Sequence, residues 1–129
     1  KKEAAENIFE EFEFINIGIF PSNRDIIHVR IRERIVEMIN MGLTKEAHEI
    51  TKLENIPKNH PALNSINYKE AIQVINGELD AIELEEKCVI STRQLVKRQL
   101  TWMRSFNFSK TFDINSAIEI EKYIEEQIF

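Results

Sequence analysis

The chain has 129 residues, 43% of them hydrophobic and 30% charged, with a formal net charge of −5 and one cysteine. That length suits one domain with a buried core. The acidic balance excludes a generic nucleic-acid clamp with a wholly basic surface, and the lone Cys88 excludes an internal disulfide framework.

Taken in order, residues 1–12 set Ile8, Phe9 and Phe12 at helical spacing among glutamates, which predicts a short helix. The pattern then changes. From Phe14 to Phe20 isoleucines alternate with other residues, as in a strand, and Pro21 ends the run. No second strand is evident in the remaining residues. A lone strand that is apolar on both sides leaves its backbone donors and acceptors unpaired, so it is expected to belong to a sheet supplied by other sequence. The expected architecture is therefore mainly α, the helical part of a larger α/β protein. Residues 1–22 would form the end of the α/β core, and residues 23–129 a helical region.

Ser22, with Asp25 three residues on, predicts a helix start. From Asn23 to Met41 the residues Ile27, Ile31, Ile35, Met38 and Ile39 form one apolar stripe, and Gly42 is a stop. Arg24, Arg30 and Arg34 charge this helix. An anion near Arg24 and ion pairs to Glu33 and Glu37 are equally open readings. Thr44 opens a shorter helix to about Leu53, and residues 56–63, with Pro57 and Pro61, form a loop. The segment Asn64 to Lys69 leads into a helix ended by Gly77. Asp80 and Glu83 have the spacing of a capping box for a long helix, residues 106–115 read as an aromatic connection, and Ser116 with Glu119 caps a last helix to about Gln127. No repeat or low-complexity tract occurs.

The long helix is the focal element, because residues 87–112 lack any acidic side chain in an otherwise acidic chain. Wound at about 100° per residue, it gathers Leu95, Val96, Leu100, Met103 and Phe106 on one stripe. Arg93, Lys97 and Arg104 lie opposite, with Thr101 and Arg98 nearby and Trp102 at the seam. Such a helix most often serves only as a core element with a solvated side. Two features favour more than that: Gln99 falls within the apolar stripe, and no glutamates interleave with the basic residues. Basic side chains can hold phosphates, and Tyr68 or Trp102 can stack an unpaired base. No catalytic constellation is present. His28, His48 and His60 lack metal-ligand spacing, no phosphate-binding glycine loop exists, and Cys88 reads as a half-buried structural thiol.

The run Thr92 to Arg104 (TRQLVKRQLTWMR) resembles a C-terminal signature of the tRNA dimethylallyltransferase family, also called tRNA isopentenyltransferases. Ile17 to Arg24 (IGIFPSNR), then His28, Arg30 and Arg34, then Met38 to Leu43 with Glu46, follow that family's strand, arginine-rich helix and M-x-x-x-G-L turn in order. Pro61 to Gly77 resembles its P-S-I-x-x-x-G-Y-(R/K)-(E/Q) segment, with Asn67 where the family usually has glycine.

The resemblance covers about residues 14–106 and implies the C-terminal part of an α/β enzyme with a P-loop-like core. It implies transfer of a dimethylallyl group from its diphosphate to the exocyclic amine of the adenosine 3′ of the anticodon, with Mg2+ as cofactor. The tRNA anticodon stem-loop would meet Asn64, Ser65, Ile66, Asn67, Tyr68, Lys69, Lys97, Arg98, Gln99, Thr101, Trp102 and Arg104. Gln99 would hold its helix in register, and Arg24 would lie near the substrate diphosphate. The family's phosphate loop and general-base aspartate have no counterpart here, so no catalytic or metal-ligating residue is assigned, and the chain is expected to be inactive alone. With no leader-like segment and no bilayer-length apolar run, the expected setting is cytoplasmic, without membrane contact. The alternative is a helical protein-interaction module, or a degenerate remnant without RNA binding.

Overall fold

The structure, a computed structural model, describes residues 12–129. The helix expected over residues 1–12 lies outside the described residues except for its last position. The chain is mainly helical, as its periodicity predicts, and divides into two compact units. One comprises residues 12–22 and 100–129, the other residues 23–99.

The first unit holds the strand β1 (Ile17–Phe20), which is the strand expected from residue 14 onward, shortened. It also holds a partner. Strand β2 (Lys110–Asp113) pairs with β1 in parallel, with Ile17 opposite Lys110 and Phe20 opposite Asp113. The expectation of no second strand in this chain is thus corrected. β2 escapes a pattern search because KTFD is four residues long, charged at both ends, and carries one large apolar side chain. Backbone bonds extend the pairing at both ends: Ser109 N–H donates to the Asn16 carbonyl (2.7 Å), and Ile114 N–H to that of Phe20 (3.1 Å).

Side chains lock the register. Gly18 is buried, and a Cβ there would stand 2.8 Å from the rings of both Phe20 and Phe108, so only glycine fits between them. Those two rings meet edge to face, their centroids 5.8 Å apart. The Asp113 carboxylate accepts from Asn115 N–H (2.9 Å) and Ser22 N–H (2.8 Å), and these bonds hold it below the usual carboxylate range. Ser22 is therefore a sheet-end donor and not the helix cap expected of it. Helix α5 (Ala117–Ile128) follows β2; Ser116 occupies its N-cap position without the expected side-chain bond. Tyr123 of α5 packs on Phe112, and Lys110 Nζ lies 5.0 Å from the Tyr123 ring centre.

The second unit opens with α1 (Arg24–Asn40), capped by Asn23, whose side chain accepts from Asp25 N–H at 2.8 Å. Gly42, at φ +101°, turns the chain into α2 (Leu43–Thr51). A 3-10 turn (Pro61–Asn64) precedes α3 (Tyr68–Ile75), and Gly77 at φ +74° ends that segment. The Asp80 carboxylate accepts from Ile82 N–H within a second 3-10 turn (Ala81–Glu83), so Asp80 caps that turn and not the long helix directly. Helix α4 (Leu84–Ser105) follows at once and supplies residues to both units.

Two apolar clusters hold this unit. Ile31 and Ile35 of α1 pack with Leu84, Cys88 and Val89 of α4, flanked by Ile27, Ile39, Val74, Leu79 and Val96. Leu43 and Ala47 of α2 pack with Ala71 of α3. The α1 stripe is the one the sequence predicts. No local spacing points to Arg32, yet it donates to both Glu85 and Glu86 of α4, the latter at 2.6 Å. The Arg32 hydrogen bond is the main cause of a Glu86 carboxyl below its ordinary value. Both partners are substantially solvated, so this pair orients the helices more than it stabilises them. Among the described residues no helix is long and apolar enough to cross a membrane.

Candidate nucleic-acid interface

The segment ahead of α3 is built by local bonds. His60 Nδ1 accepts from Ala62 N–H (3.2 Å) and starts the 3-10 turn, and the Ser65 hydroxyl donates back to the Ala62 carbonyl (2.7 Å). Asn67 then takes φ +78°, the conformation expected where the related pattern has glycine. Its N–H donates to Glu70 Oε2 at 2.7 Å. Glu70, only 6% exposed, also accepts from the Ser91 hydroxyl of α4 at 2.6 Å. Thr92 Oγ1 lies 3.5 Å from Asn67 Oδ1. The Tyr68 hydroxyl donates to the Glu46 carboxylate of α2, and that bond, with burial second, raises the phenol above its ordinary value. Tyr68 therefore stays neutral, with its hydroxyl engaged.

This network brings Asn64 to Lys69 against the Ser91–Thr92 turn of α4. Asn64, Ser65 and Lys69 are exposed, while Ile66, Asn67 and Tyr68 are half-buried. Lys97 follows Ser91 by six residues, about 9 Å of helix rise, and Lys97, Arg98 and Gln99 are all exposed. In the other unit, Thr101 and Arg104 of α4 are exposed, and Trp102 is 63% exposed. The Trp102 ring tilts against Phe106, with centroids 5.5 Å apart. Among the described residues neither Arg98 nor Arg104 forms an ion pair, whereas Arg34 is paired with Glu37 at 3.0 Å.

Three expectations shift. Gln99 is exposed and not enclosed in the apolar stripe, because α4 is buried at Leu84, Cys88 and Val89 and its last turns are half-covered. Arg93, expected on the open basic side, is half-buried, and its Nε is enclosed without a hydrogen-bond partner among the described residues. Cys88 is fully buried, and desolvation, with Glu70 second, pushes its thiol up to about 12, which makes it inert as a nucleophile. Arg24 is exposed at the first turn of α1 and shares no hydrogen bond or ion pair with the Asn67–Glu70 cluster. Glu70 and Ser91 are the functional candidates that sequence reading missed. The Asn67-x-x-Glu70 spacing was the available signal for the first. Among the described residues no group of three or more His, Cys, Asp or Glu stands close enough to hold a metal ion.

A mainly helical chain, whose long helix α4 exposes cationic and aromatic side chains in its last turns, has known relatives. The IPP transferase family model matches residues 1–106, and the chain belongs to that family. It is 33% identical over 119 residues to a tRNA dimethylallyltransferase of Nitrosomonas eutropha, covering 90% of this chain and 38% of that protein. A tRNA dimethylallyltransferase of Polynucleobacter necessarius is 35% identical over 109 residues, or 84% of this chain and 33% of its own. The full-length tRNA isopentenylpyrophosphate transferase of Bacillus halodurans superposes with a TM-score of 0.79 at 27% identity, over 88% of this chain and 38% of that one. The chain thus spans about a third of the length of the relatives it matches.

Proposed function

We propose that this chain provides the tRNA-contacting part of a transferase that moves a dimethylallyl group from its diphosphate to the exocyclic amine of the adenosine 3′ of the anticodon. In that reaction a C–O bond to diphosphate breaks and a C–N bond to the base forms, and the amine gives up a proton. The observation that carries the reading is the solvent-facing set Arg98, Trp102 and Arg104, two cations without ion pairs among the described residues and one large open ring. In an acidic chain such a set is suited to phosphates and an unstacked base.

Asn64 to Lys69 would meet the same anticodon stem-loop, with exposed Lys69 for phosphate and exposed Asn64 for a base edge. Arg24, at a helix start where positive charge already gathers, would face the substrate diphosphate. The Mg2+ that accompanies such a diphosphate would take ligands from outside the described residues, as would the proton acceptor. By itself the chain would bind RNA in the cytoplasm and not catalyse transfer.

A salt titration of binding to an anticodon stem-loop tests this. Contacts through Lys97, Arg98 and Arg104 predict a slope of log affinity against log salt of about −2 to −3, and the Lys69 contact adds about 0.7 to 0.9 to its magnitude. No binding, or a flat response, would favour a helical module that meets protein instead.

A further inference from the structure

We infer that Glu70 is a positioning residue for RNA recognition, acting through Asn67 to fix how the Asn64–Lys69 segment is presented beside α4. The inference deepens the RNA-contacting reading and rests on it. Glu70 is 6% exposed, so its side chain cannot itself be a ligand contact. A carboxylate withdrawn from water is tolerated only where its oxygens are bonded, and both are: Oε2 accepts from Asn67 N–H at 2.7 Å, and Oε1 from the Ser91 hydroxyl at 2.6 Å.

The two donors sit on separate elements. One is the backbone of the segment itself, and the other is a side chain on α4, 21 residues from Glu70 in sequence. Asn67 is the described non-glycine residue with positive φ, a conformation that side-chain-bearing residues seldom hold unaided. Pinning its N–H fixes that conformation, and Asn67 sits between exposed Ser65 and exposed Lys69, so its φ decides which way those side chains project. Thr92, 3.5 Å from the Asn67 side chain, adds a second tie to the same helix turn.

The chemistry separates the variants. In Glu70→Gln the carbonyl still accepts from Asn67 N–H and the amide donates to the Ser91 oxygen, so the bridge survives with its charge removed. In Glu70→Ala both ends are released. The experiment is a salt titration of stem-loop binding for wild type and both variants, with active fraction from stoichiometric titration and amide exchange at Asn67. Glu70→Gln is expected within about threefold of wild type, with the same slope. Glu70→Ala is expected to bind about tenfold more weakly, with a slope smaller in magnitude by about one as the segment's phosphate contact is lost, an unchanged active fraction and faster exchange at Asn67.

A reduced active fraction with an unchanged slope would mean Glu70 serves folding alone, and overturns the inference. Should Glu70→Ala not fold, Ser91→Ala removes only the α4 donor. Faster Asn67 exchange with binding weakened about threefold then supports the inference, and unchanged binding overturns it. Failure of the wild-type chain to bind would overturn the reading beneath together with this inference. Wild-type binding with an unaltered Glu70→Ala slope overturns the inference alone.

Discussion

Replacing Arg98 and Arg104 together with alanine is expected to weaken anticodon stem-loop binding roughly 25- to 60-fold at 0.1 M salt and to reduce the salt slope by about 1.4 to 1.8 in magnitude. The magnitude follows from counterion release, in which each neutralised phosphate contributes about 0.7 to 0.9 to the slope. Both guanidinium groups are exposed and, among the described residues, free of carboxylate partners, so their loss should leave the fold intact. Lys122 is the matched control. It lies on α5, 3.9 Å from Glu126, and Lys122→Ala removes one positive charge, against two in the double variant, without touching the proposed interface. A loss of log affinity per charge removed that is equal in the double variant and the control would mean that general charge, not this helix end, drives binding.

The largest stability effect is expected at Ile35. It is 2% exposed, on the α1 stripe that meets Leu84, Cys88 and Val89 of α4. Ile35→Ala removes three carbons from a site whose neighbours lie on a different helix and can only partly close the gap, at a cost of about 2–5 kcal/mol. For a unit of this size that lowers the melting midpoint by on the order of 10 °C or more. Ile35→Val, which removes one methyl, should cost about 0.5–1.5 kcal/mol. Ile118 is 80% exposed on α5, and its alanine variant should fall within about 0.5 kcal/mol of wild type. Thermal melts followed by far-UV circular dichroism order the three. A change in Ile35→Ala no larger than that in Ile118→Ala would remove the α1–α4 contact as the organising core.

What could be read before the structure was periodic or positional. The α1 stripe of Ile27, Ile31, Ile35 and Ile39 repeats at helical spacing, and burial at Ile31 and Ile35 follows from it. The positive φ of Asn67 was legible because one position of a recognised pattern had changed from glycine to the residue most tolerant of that conformation. Exposure at Arg98 and Arg104 follows from their helical phase, away from the apolar stripe, whereas Trp102, at the seam by that phase, is open to solvent.

The long-range features were hidden. Lys110 to Asp113 become a strand because β1 is there to pair with, not because of their own preferences. Arg32 finds Glu85 and Glu86 more than fifty residues away, a separation at which no local spacing rule speaks. Gln99 shows the limit of helical phase: the stripe says which residues share a side, but not how far along the helix the partner surface extends. Ser91 is hidden for a related reason, since its meaning comes from Glu70 on another helix.

Photo-crosslinking of a 4-thiouridine-bearing anticodon stem-loop to the chain, with the labelled peptides mapped, tests the central claim most directly. Labels within Asn64–Lys69 and Lys97–Arg104 are the predicted result. Labels absent from both segments, or confined to the exposed surfaces of α1 and α5, would contradict it.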